Sequence, residues 1–204
     1  IMLSSAIEKY ANFFGVACGE KNILLTNNDS AYETAISLFQ KGINIEAIID
    51  NREEVDSKLI KETEKNNIKV YKGYTIVNTT GYKRINKVSI MKLSKDGQKV
   101  IGSKISIACD CLGISGGWTP SVHLFTQSGG KLKFREEDQV FIPDKYSSDQ
   151  ISIGACNGDF TLDEILSSIP NKLKEFLNIK KTDYENIEVQ SSFNKSKRNI
   201  WLLP

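Results

Sequence analysis

The sequence predicts an α/β fold: a βαβαβ unit with a parallel sheet, then an antiparallel meander, then part of a second α/β unit. Three observations carry this. The runs at 22–26 (NILLT) and 45–49 are strand-length and apolar without a one-sided alternation, as in strands buried on both faces. Residues 29–40 and 53–66 follow helical spacing between and after them. Beyond Gly73 the pattern shifts to short runs rich in β-formers, two of them flanking Asp96-Gly97, a tight-hairpin dipeptide.

The elements follow in order. Leu3, Ala6, Ile7, Tyr10, Phe13 and Phe14 recur at helical spacing, so residues 3–14 form an amphipathic helix that Gly15 ends. A buried strand at 22–26 leads to a helix over 29–40, carried by Ala31, Ala35, Leu38 and Phe39 and stopped by Gly42. The second buried strand, 45–49, ends at Asp50. A charged helix over 53–66 precedes a third short strand at 68–71. Strand, helix, strand, helix, strand over about fifty residues is the unit from which parallel sheets are built. Runs at 76–79, 87–93 and 99–101 make the meander, residues 74–107. A second unit is then expected, with strands at 110–115 and 151–155 around a helix over 121–127 that Gly129-Gly130 stops. Thr161 is placed to N-cap an amphipathic helix reaching about residue 177. Residues 180–197 are polar, and the chain closes on apolar Ile200-Trp201-Leu202-Leu203-Pro204.

Composition narrows the function classes. Hydrophobic residues make up 40% and charged residues 25% of the 204, ordinary for a globular protein. A net charge of +2, with Lys and Arg scattered among Asp and Glu, offers no basic stripe for nucleic acid. No apolar run approaches the roughly 20 residues needed to span a bilayer. The opening IMLSSAIEKYANFF lacks the basic start of a signal peptide. It begins in mid-helix, which reads as a piece of a longer chain. Cys18, Cys109, Cys111 and Cys156 form no CxxC, and His123 is the only histidine, so a zinc set is not supplied. Buried, reduced thiols and a cytoplasmic location are the expectation. His123 lies between Val122, Leu124 and Phe125 with no Ser, Cys or carboxylate beside it, and reads as a packing residue rather than an acid or base. Trp118 and Trp201 read as core or interface anchors.

The strand–turn–helix ILLTNNDSAYETA resembles the nucleotide-binding turn of thioredoxin-reductase-like flavoenzymes, where the turn reads GGGDSA. Asp29-Ser30-Ala31 is kept, while Thr26, Asn27 and Asn28 stand at the glycine positions. The same substituted turn, the stretch ACDCLGISGGWTPSVHLFTQSGGKLKF, the turn ISIGACNG and the terminal IWLLP all resemble the heterotetrameric sarcosine oxidase alpha subunit family. The resemblance covers essentially the whole chain. It implies a Rossmann-like domain at 21–108, preceded by a linker helix at 1–20. After it come the C-terminal part of a flavin/NAD-type domain at 109–178 and a polar linker at 179–204 leading to a folate-type domain. It implies a parent complex with beta, gamma and delta subunits that oxidises sarcosine to glycine, makes hydrogen peroxide and passes the one-carbon unit to tetrahydrofolate. NAD would be held largely by the first half of the flavin-type domain, FMN at the alpha–beta interface and FAD in a partner subunit. This chain would then be scaffold, with no cofactor of its own and no catalytic residue. A subunit of a dye-linked octopine- or proline-type dehydrogenase, or a scaffold module that only binds a partner subunit, are the rival readings.

The candidate cofactor contacts are Thr26, Asn28, Ser30, Asp50, Gly116, Gly117, Asn157 and Gly158. In a working pyrophosphate turn, one glycine allows the bend, a second admits the phosphate, and a third small residue lets the helix pack on the strand. Ala31 keeps only the last role. Asn28 would obstruct the phosphate, and Asp29 is expected to cap the helix. Asp50, about twenty residues on, stands where an acid would meet the adenosine ribose, or is turn punctuation. Arg52 nearby could suit a 2′-phosphate. Gly116-Gly117 permits close approach to a cofactor or simply turns the chain. Asn157-Gly158 stands where related flavoenzymes place a ribitol-binding Asp.

Overall fold

The fold comes from a computed structural model that describes residues 1–55, 58–146, 149–179 and 189. The chain divides after Gly117 into two compact units.

The first unit is three layers deep. Its elements run β1 (Met2–Leu3), α1 (Ser4–Phe14), β2 (Asn22–Thr26), α2 (Ser30–Gln40), β3 (Ile45–Asp50), α3 (Lys58–Lys65) and β4 (Lys69–Lys72), then β5 (Tyr74–Gly81), β6 (Ile85–Leu93), β7 (Val100–Ala108) and β8 (Cys111–Ser115). The middle layer is a parallel sheet in the order β1-β8-β2-β3-β4. One face of it carries the helices, through Ile7, Leu24, Tyr32, Leu38, Ile48 and Cys111. The other carries the antiparallel sheet β5-β6-β7, through Ile23, Leu25, Ala47, Ile49, Val88, Ile90 and Leu112. Successive side chains of a strand point to opposite faces, so the three central residues of β2, Ile23, Leu24 and Leu25, are all apolar and serve the two cores in turn. At β8 the neighbours come very close: a Cβ on Gly113 would lie 2.6 Å from Leu24 Cδ2 and 2.8 Å from Ile7 Cδ1, so a larger residue there would require both side-chain ends to shift.

The structure differs from the sequence expectation in two placements here. The strand expected at 110–115 was assigned to the second unit and forms at Cys111–Ser115. It instead pairs in parallel with β2, Leu24 opposite Gly113 and Thr26 opposite Ser115. Residues 4–14, expected as a linker helix, cover the same sheet, with Ile7 and Ala11 in the core. Both follow from one fact. The apolar face of α1 and the edge of β2 need cover, and the meander returns the chain to that edge.

The second unit holds α4 (His123–Gln127), β9 (Lys131–Arg135), β10 (Val140–Lys145) and α5 (Leu162–Phe176). The hairpin β9–β10 was not anticipated, because its charged residues and Pro143 hide the alternation. The strand expected at 151–155 is not formed. Residues 151–153 join no sheet, and Gly154, at φ 73°, opens a 3-10 turn, Gly154–Asn157. The helix after Thr161 is as expected, with a full capping box between Thr161 and Glu164. Residues 180–197, apart from Val189, and the apolar 200–204 lie outside the described residues. No helix among the described residues is long and apolar enough to cross a membrane.

Candidate functional site at the carboxyl ends of the parallel strands

In open parallel sheets ligands sit beyond the carboxyl ends of the strands, beside the turns that follow them. Register brings two of the sequence candidates together there, with Ser115 beside them: Thr26 lies opposite Ser115 on β8 and opposite Asp50 on β3. Thr26, Asn28 and Asp50 are buried, and Ser30 is partly so.

The turn is tied down by its own side chains. Thr26 Oγ1 donates to the Asn28 carbonyl at 2.8 Å and accepts from the Asn28 N–H at 3.1 Å. Asn28 Nδ2 donates to Asn27 Oδ1 at 2.9 Å and to the Ser115 carbonyl at 3.1 Å. Its Oδ1 accepts from the Ser30 N–H at 3.0 Å, from Ser30 Oγ at 2.6 Å and from Ser115 Oγ at 3.2 Å. The first N–H groups of a helix have no partner within it and are what an anion would bind. Here Asn28 takes up one of them. Asp29, the cap expected from sequence, does not play that role. Asp29 has helical backbone angles and its side chain makes no cap hydrogen bond.

Asp29 is instead one end of a buried charge triad. Arg52 Nη2 lies 2.9 Å from Asp29 Oδ1. The same guanidinium holds Asp50 through two atoms, Nε to Oδ1 at 3.0 Å and Nη2 to Oδ2 at 2.8 Å, and the Arg52 N–H reaches Asp50 Oδ1 at 2.9 Å. Tyr32 donates its phenol proton to Asp50 Oδ2 at 2.8 Å. Burial, and after it the Asp50 carboxylate, holds that phenol far above its ordinary pKa, so it stays protonated. Burial alone would lower the pKa of Arg52, but its hydrogen bonds and charge pairing with Asp50, then Asp29, raise it. Asp50 is thus fully engaged within the chain.

Gly116 offers its carbonyl to Asn27 Nδ2 at 3.2 Å, and Gly117 follows at φ 108°, a conformation that favours glycine. Asn157 and Gly158 lie in the second unit. Asn157 Nδ2 reaches Asp159 Oδ2 at 3.4 Å, and the Gly158 carbonyl accepts from Arg135 Nη2 at 2.7 Å. The sequence reading missed Ser115 and Tyr32. Ser115 could have been found only by pairing 111–115 with β2. Tyr32 falls three residues beyond Asp29 on the face of α2 that meets β3. No group of three or more His, Cys, Asp or Glu able to hold a metal occurs among the described residues.

No family model matches the sequence. Against individual proteins the result is clear. The sarcosine oxidase subunit alpha of Corynebacterium sp. strain P-1 is 32% identical over 170 residues, 82% of this chain and 17% of that protein. Its counterpart from Corynebacterium sp. strain U-96 is 30% identical over 158 residues, 78% of this chain and 16% of that one. The chain is a relative of the sarcosine oxidase alpha subunit. It spans about a sixth of the length of these relatives. Among solved structures, thioredoxin reductase from T. acidophilum matches with a TM-score of 0.52 at 18% identity, over 78% of this chain and 53% of that one. That likeness bears on the fold alone, and it agrees with the α/β architecture.

Proposed function

We propose that this chain is dinucleotide-domain framework of a sarcosine oxidase-type alpha subunit, and that its β2–α2 turn does not hold NAD(P)(H). What supports the second half is one observation: the Asn28 side chain occupies the helix N-terminus, hydrogen-bonded on both sides. A pyrophosphate needs that place, close to bare backbone. The residues present do not fit the group. The Asp29 carboxylate beside it adds like-charge repulsion. Sarcosine oxidation, the flavins, the folate-dependent step and the beta, gamma and delta partners then belong to other parts of the assembly. Gly116 and Gly117, at the end of the first unit, are proposed as contacts of a dinucleotide held mainly from elsewhere; Asn157 and Gly158 are proposed as cofactor contacts of the second unit by itself.

Titration calorimetry of the purified chain with NADH and NADPH tests the reading. No binding is expected below the millimolar range, and a micromolar dissociation constant would overturn it. An oxygen electrode should show no sarcosine-dependent oxygen uptake by the chain alone, and turnover there would refute the framework assignment.

A further inference from the structure

We propose that Arg52 is a built-in occupant of the nucleotide end of this sheet: its guanidinium, bound between Asp29 and Asp50, closes the β2–α2 turn against ligands. This rests on the framework reading and adds the contact that enforces it.

Two carboxylates, Asp29 and Asp50, are buried within the same few ångströms at the ends of β2 and β3. Neither can be left away from water without hydrogen-bond donors or a counter-charge. A bound nucleotide would satisfy an acid at the position of Asp50 through ribose hydroxyls, and no cation would be needed. Here the chain supplies the partner itself. Arg52 grips Asp50 with a two-atom fork, the geometry in which guanidinium binds carboxylate best. Its second contact, to Asp29, ties β3 to the start of α2. Among the described residues no hydrogen bond from elsewhere reaches the Asp29 carboxylate, so Arg52 is its partner. Tyr32 completes the Asp50 set and spends its proton on the lock. The Arg52 side chain is itself only 13% exposed, so it lies in the site and not over it.

Sterics and lock can be told apart. If Asn28 alone kept ligands out, restoring glycine at the turn would open the site. With the lock in place, a Thr26→Gly/Asn28→Gly variant should bind NADH no better than the wild-type chain, and micromolar binding by that variant would overturn the proposal. Wild-type binding of NADH, by contrast, would sink the framework reading and is measured separately. Arg52→Ala should lower the melting temperature by roughly 10 °C, because it strands two buried carboxylates. Ethylguanidinium at millimolar concentration should recover about half of that loss, whereas urea, its neutral analogue, should not. A folded Arg52→Ala chain indifferent to ethylguanidinium would contradict the occupant role. Should that variant not fold, the wild-type chain gives the answer by NMR. The Arg52 Nε–H should exchange with water at least tenfold more slowly than that of exposed Arg84, and equal exchange would refute the lock.

Discussion

Asn28 does the work of a ligand within a few ångströms of backbone. Its amide has both a donor and an acceptor end, and both are used: Nδ2 on Asn27 and Ser115, Oδ1 on Ser30 and Ser115. Asn28→Gly removes all of these and should cost about 1–2 kcal/mol in urea unfolding. Asn28→Asp keeps the cap to Ser30 but sets a carboxylate oxygen against the Asn27 and Ser115 oxygens, and should cost more than the glycine. If aspartate were the milder change, the Nδ2 bonds would not matter. The thiols offer a check by titration. Burial pushes the Cys111 thiol up to about 11, with nearby Cys18 adding to it, and burial raises Cys109 as well. Only the thiolate is a good nucleophile, so at pH 8 a raised pKa leaves little of it. Alkylation at pH 8 should therefore spare Cys109 and Cys111 in the folded protein and reach both in guanidinium chloride; rapid native-state labelling of either would contradict their burial. At this scale the sequence was half legible. The loss of the turn glycines is written in the string, and so is Asp50. The choice between Asn28 and Asp29 as cap is not, since both residue types cap well. Nor is the Arg52–Asp29 pair, which spans 23 positions and leaves no local pattern.

Among the elements, those whose apolar pattern decides the matter were legible. NILLT could only be a strand with cores on both faces, and 3–14 could only be a helix with one. What the pattern withholds is pairing. The strand at 111–115 reads equally well as the start of a new sheet or the last strand of the old one. The choice is made by the bare edge of β2 and by Gly113, whose hydrogen lets α1 settle onto β8. Gly154 likewise turned an expected strand into a 3-10 turn by taking a positive φ within an apolar run. The helix α5 was legible from its cap, and the cap matters because none of its residues is buried. A helix without a buried face depends on its ends. Thr161→Ala should remove the Glu164 N–H bond and cost about 1 kcal/mol, seen as faster amide exchange through the first turn of α5. Unchanged exchange there would show that packing, not the cap, holds the helix.

For the molecule, the placement of β8 changes what should fold as a block. Were 111–115 part of a sheet completed elsewhere, its amides would exchange early and its edge would invite association. In the structure β8 lies between β1 and β2, with Leu112 in the meander-side core and Cys111 in the helix-side core. Residues 1–117 therefore contain both cores of the three-layer unit and all five strands of the parallel sheet. Native-state hydrogen exchange should protect β2, β3 and β8 to the same degree, since amides held in one cooperative unit open together. The two-residue β1 should exchange faster, as a short edge strand. A chain ending at Gly117 should keep this protection pattern and unfold in one transition. Early exchange across 111–115 with 22–26 still protected would mean that β8 is a loosely held addition. Its pairing with β2 would then not be what completes the carboxyl end of the sheet.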